Sequence, residues 1–182
     1  MKRFSVDARD EQIFARLFQE EKAAVFEKLD QLEQALYHLQ YEGKVSSSRH
    51  IKKADDVMRF LKKTYTAHVD LDERVIFPFL EKHIPRLQSV LLYLRAERRE
   101  FEDGITVFEK ILQDLKKGNN GVIRHRIIDR LKDKGIYLIC QMRSHIQLEE
   151  QSVYNSIQRE LQAGEKNALI HNITHYSFTH CC

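Results

Sequence analysis

The chain is expected to fold as an all-α, up-down-up-down four-helix bundle, and three observations carry that expectation. Apolar residues recur at steps of three and four through four long stretches, strand signals are scarce, and only 6 Gly and 2 Pro occur among 182 residues to interrupt helices. Short links between the stretches make neighbouring helices antiparallel. A chain of this length closes one core, so residues 1–161 are expected to form the bundle and 162–182 a tail.

The first helix is expected to start near Asp7 or Asp10 and to run to about Tyr41, where Gly43 supplies the left-handed residue that closes a helix. Its inward seam reads Phe14, Phe18, Val25, Leu29, Leu32 and Leu36, and the rhythm requires an inward residue at position 22, which is Lys22. A link through Gly43 to Ser48 offers hydroxyl groups for an N-cap. The second helix follows through Val57, Leu61, His68, Asp72, Val75 and Phe79, with Pro78 placed to bend its last turn.

The third helix has the most regular seam: Leu87, Leu91, Leu94, Arg98, Phe101, Ile105, Phe108, Leu112 and Leu115. Arg98 stands in an apolar place, and a buried unpaired charge there would cost several kcal/mol, so it requires a carboxylate partner. After a turn from Lys116 to Gly121, capped by Gly118, the fourth helix carries Ile127, Leu131, Leu138, Met142, His145, Glu149, Val153 and Ile157. Gly104 and Gly135 interrupt the last two helices; the sequence leaves open whether they admit a close neighbour or only weaken the helix.

Composition narrows the partners. The net charge of +3 is spread along the chain without a basic tract, which argues against nucleic acid. The N-terminus lacks the apolar run of a signal peptide, no stretch approaches a membrane span, and three Cys provide no disulfide framework. A cytoplasmic protein is expected, with a protein partner left open. The tail places His171, His175, His180, Cys181 and Cys182 close together, a composition able to chelate a metal, though its spacing matches no structural zinc pattern.

The chemistry-bearing residues form a repeat. His68 and Asp72 are four apart, as are His145 and Glu149, and the offset between the pairs is 145 − 68 = 77. The two inward cations are offset by 98 − 22 = 76. Residues four apart share a helix face, so Lys22, His68, Asp72, Arg98, His145 and Glu149 are expected at one level of the interior. Tyr65 and Tyr154 lie one turn away from this level and read first as ordinary bundle tyrosines. Cys140 reads as a small, inert, partly buried residue, with Arg143 the one neighbour that could activate it.

The two His-x-x-x-acid pairs, the first followed by Phe77-Pro78, resemble the hemerythrin-like family, the HHE cation-binding domain, over residues 10 to 160. The resemblance implies a four-helix bundle around a non-haem di-iron centre used for dioxygen binding, nitric-oxide or iron responses, or repair of iron-sulfur clusters. It implies His68, His145 and Glu149 as ligands, with Asp72 a shorter substitute for the usual Glu. Two further family imidazoles, each following an acidic residue, are replaced: those places read Glu21-Lys22 and Glu97-Arg98. Neither cation offers a lone pair to a metal.

Two functions follow. In the first, Lys22 and Arg98 balance Asp72 and Glu149 as ion pairs in a degenerate centre, no cofactor is bound, and the chain is a non-enzymatic binding or regulatory module. In the second, His68, Asp72, His145 and Glu149 hold one iron or other divalent ion, and the chain senses oxygen, nitric oxide or iron. An enzymatic role would require the redox metal of the second.

Overall fold

The computed structural model describes the backbone of residues 8–41, 44–117 and 121–180 and the side chains of 19–41, 47–117 and 122–176. The side chains of Phe14, Phe18 and His180, the closing glycines Gly43 and Gly118, and Cys181 and Cys182 lie outside the described residues. The long elements are α1 (Ala8–Tyr41), α2 (Lys44–Leu71), α4 (Gln88–Lys116) and α5 (Gly121–Glu149). A π-turn (Asp72–Ile76), α3 (Phe77–His83) and a 3-10 turn (Pro85–Leu87) follow α2. After α5 come a second π-turn (Glu150–Tyr154), α6 (Asn155–Glu160) and α7 (Ala163–His180). The fold is all-α, as expected, and no described helix is long and apolar enough to cross a membrane.

The chain divides into two compact units, one formed by 24–64 and 96–145 and the other by 1–23, 65–95 and 146–182. In the first, four helical segments run antiparallel to their neighbours. Lys62 and Lys116 of α2 and α4 reach Glu109 and Asp55 across that pair, while Arg143 of α5 reaches Asp30 at 2.6 Å and Glu33 at 2.9 Å on α1. Leu32, Ala54, Phe108 and Leu131, one from each segment, are buried completely. The hydroxyl link expected between the first two helices is already helical from Lys44, and Ser47 accepts a bond from Arg124 at 2.8 Å instead of serving as a cap.

The glycines of this unit mark close approach. A Cβ on Gly135 would meet Leu36 Cδ1 and lie 2.9 Å from Phe108 Cε2, and one on Gly104 would lie 2.6 Å from Leu138 Cδ2. Because Leu36 and Phe108 are themselves buried and cannot swing aside, Gly135→Ala is expected to destabilise the protein by about 1–2 kcal/mol despite the better helix propensity of Ala. Urea unfolding measures this, and a stabilised variant would show that the two side chains repack freely.

The second unit has its own core, in which Ile76, Phe77, Leu80, Leu91, Leu94 and Val153 are fully buried. Here the structure corrects the expected seam by one residue: Ile76 and Leu80 are buried, while Val75 and Phe79 are only partly so. The first π-turn is the cause. Phe77 N–H bonds to the carbonyl of Asp72, five residues back, so the segment holds one residue more than a regular turn. Pro78 favours it, since proline has no N–H to give the carbonyl of Arg74 and its ring would crowd that oxygen in a regular helix.

The inward positions 68, 72, 76 and 80 follow in steps of four, and three such steps exceed three turns of about 3.6 residues by about one residue. Positions 149, 153 and 157 repeat those steps beside the second π-turn. No proline stands there. Asn155 N–H bonds to the carbonyl of Glu150, and Ser152 Oγ donates to the carbonyl of Leu148, an acceptor the backbone of a regular helix would use.

Residues 163–180, expected as a tail, form α7. Glu165 accepts the Gln162 N–H at 2.8 Å, the carboxylate half of a capping box, and also bonds His83 Nδ1 at 2.9 Å. Those two donors, the backbone one first, hold its carboxyl below the usual carboxylate range. Leu169 and Ile173 enter the core of this unit, and Tyr176 donates to Asp70. The sequence signal was weak because only this short apolar stripe, set among His, Asn and Thr, marks the buried face.

Candidate functional site

In the unit formed by 1–23, 65–95 and 146–182, the last turn of α2, the first π-turn and the end of α5 bring three expected residues together. His68, Asp72 and Glu149 each present a ligand atom, and all three atoms lie within 4.8 Å of one another. His68 Nε2 is 3.2 Å from Asp72 Oδ2 and 3.1 Å from Glu149 Oε2. Both carboxylates are buried, and the imidazole is nearly so. Among the described residues this is the one such group of three; His171 and His175 of α7 are exposed and take no part in one.

The Nδ1 edge of the His68 ring meets a further carboxylate. Glu21 Oε2 lies 3.6 Å from His68 Nδ1. Burial alone would push the imidazole's pKa down, but the charges of Asp72 and Glu149 and the bonds to Glu149 and Glu21 outweigh it and hold it well above the ordinary value. Lys22, the next residue, is about one-third exposed and makes an ion pair with Glu150 of the second π-turn.

The other unit contains His145 and Arg98. His145 is buried, and its Nδ1 is 3.1 Å from Glu97 Oε2. Arg98 is also buried. The two imidazoles therefore share a pattern: Nδ1 faces the glutamate that directly precedes the seam cation, Glu21 for His68 and Glu97 for His145. The signal was present in sequence as the equal offset 97 − 21 = 76, but nothing local says which of two adjacent charged residues faces a ring.

The remaining candidates settle simply. Tyr65 is buried, and Tyr154 is half-buried against the core of its unit. Cys140 is exposed, correcting the expectation of partial burial, and Arg143 is engaged by Asp30 and Glu33.

Two buried carboxylates beside one imidazole make a site that calls for positive charge, because a buried carboxylate has to be paired or coordinated. Donors of a tetrahedral ion bound at about 2.0–2.2 Å stand about 3.3–3.6 Å apart, close to the Nε2-to-oxygen distances found here. A carboxylate on Nδ1 is also the usual outer partner of a metal-bound imidazole. One divalent ion fits these residues.

Among known families, residues 14–157 match the one described as the hemerythrin HHE cation binding domain. No curated protein matches the chain.

Proposed function

This chain belongs to the hemerythrin HHE cation-binding domain family, and from that premise we propose that it keeps one cation position where its relatives' pattern provides for two. The ligands are His68 Nε2, Asp72 and Glu149, and the observation that carries the reading is the approach of their three donor atoms to within 4.8 Å inside one unit. His145, expected in the same set, belongs to the other unit and is not among the three residues whose donor atoms come together.

The residues divide the work. Glu21 Oε2 faces His68 Nδ1 at 3.6 Å, and its charge favours a proton on that nitrogen and hence the tautomer whose Nε2 lone pair points to the ligand group. Asp72 and Glu149 supply the negative charge, and their burial keeps water from competing for it. Lys22 neutralises Glu150, so that this additional carboxylate does not enlarge the anionic set. A bound Fe²⁺, Mn²⁺ or Zn²⁺ would supply fixed positive charge and Lewis acidity. In this reading the chain is a cation-binding and regulatory module.

A second reading has its own support. His68 is held towards its protonated form, so an imidazolium between the two carboxylates could itself take the cation's place in a metal-free polar layer. Anaerobic titration of untagged protein with Fe²⁺, Mn²⁺ and Zn²⁺, followed by metal analysis, separates the two. One equivalent per chain is expected. No uptake would establish the polar layer, and two equivalents would restore a dinuclear centre. The paired substitutions Lys22→His and Arg98→His are expected to raise the stoichiometry from one to two, and an unchanged value would mean that those positions are not the missing ligands.

A further inference from the structure

One side chain holds the first π-turn from outside. Arg95 of α4 donates from Nε to Glu73 Oε2 at 2.7 Å, within the turn, and from Nη1 to Glu81 Oε1 at 2.6 Å, beyond it in α3. Its guanidinium also lies over Phe77, with Cζ 5.3 Å from the ring centroid. Phe77 is the residue whose N–H closes the π-turn on Asp72. A single planar group thus touches a side chain of the turn, its closing residue and the helix that follows.

This matters because a π-turn is replaceable. It gives up regular helix bonds, and resorbing its additional residue would rotate the preceding segment by roughly 100° against the following one, one residue's share of a helical turn. His68 and Asp72 precede that point or begin the turn, whereas Glu73, Phe77 and Glu81 lie within or after it. Resorption would carry the first two away from Glu149. Pro78 opposes it by lacking the donor a regular helix needs, and the contacts of Arg95 oppose it from the neighbouring helix.

We propose that Arg95 is a positioning residue for the cation site: its fork on Glu73 and Glu81 pins the π-turn, and so keeps His68 and Asp72 aligned with Glu149. The proposal rests on the single-cation reading above. Lysine is a poor substitute, since a point charge on a flexible stem cannot hold two carboxylates in the fixed geometry of a guanidinium.

The test uses the full chain and Zn²⁺ as the probe. Arg95→Met leaves an unbranched apolar side chain in place and removes both ion pairs together with the guanidinium over Phe77. It is expected to weaken Zn²⁺ binding by calorimetry about 10- to 100-fold, the usual range for groups that orient a ligand, with helicity retained. Arg95→Lys is expected to recover part of that loss. Pro78→Ala supplies the readout that a purely structural role would not move: it restores a regular helix donor, so thermal stability should hold or rise while Zn²⁺ affinity falls.

Arg95→Met affinity within twofold of a parent that binds one Zn²⁺ would overturn the proposal and leave the cation site standing. If the parent binds none, the cation reading fails separately, and the positioning claim is decided on the metal-free protein. There the ¹⁵N shifts of the His68 imidazole report its bonds to Asp72 and Glu149. A change in Arg95→Met supports the proposal, and unchanged shifts overturn it.

Discussion

Asp72→Asn is expected to lower divalent-ion affinity by at least about 100-fold, beyond the loss that changing an outer-shell residue brings, because it removes one of two buried anionic donors. Calorimetry with Zn²⁺ measures it, and affinity within tenfold of the parent would remove Asp72 from the ligand set. The substitution should also alter how stability depends on pH. In the metal-free parent the folded-state pKa of His68 is raised well above 6.5, the carboxylate charges and bonds outweighing burial. The stabilisation from its protonated form is therefore fully present below the unfolded pKa and is lost as pH rises through the raised folded value.

The empty parent is accordingly expected to lose stability on the alkaline side of about pH 6.5, and Asp72→Asn should flatten that slope. Ion binding has the opposite sign: Nε2 must shed its proton to bind a metal, so affinity increases with pH over the same range. Thermal melts with a chelator and with Zn²⁺, taken across pH, should diverge. Parallel profiles would show that the proton and the ion do not compete for this site.

Phe77→Ala is expected to cost about 3–5 kcal/mol, the range for emptying an aromatic core position. Phe77 is buried completely in the unit that bears the ligand group, its neighbours in that core include Ile76, Leu80 and Val153, and Arg95 covers its ring. Its role in closing the π-turn belongs to the backbone N–H and survives the substitution, so the loss measures packing. Urea unfolding with an unchanged m value is the measurement, and a loss under 1 kcal/mol (about one-third of the lower bound) would mean that the core closes over the vacancy.

How far the candidate site was legible depends on the residue. His68 and Asp72 stood out because an imidazole and a carboxylate at helical spacing interrupt an apolar seam, and the structure buries Asp72 and brings both to Glu149. Lys22 was legible as a cation in the wrong place but not in its ion pair with Glu150, a contact made across 128 residues that no local spacing announces. Glu21 and Glu97 were read as neighbours of the substituted positions, and their bonds to the two imidazoles appear only when helices are set side by side.

The helical class, the extent of α1 and the His-acid repeat were determined by the sequence alone, because each is written in spacings within a single turn, where steric and solvation preferences act locally. The π-turns, the one-residue shift that buries Ile76 and Leu80, and the docking of α7 were decided by the tertiary structure. A register change is favoured only when a proline, a hydroxyl or a neighbouring guanidinium replaces the helix bonds it gives up. A short apolar stripe becomes a buried face only when a core is there to receive it.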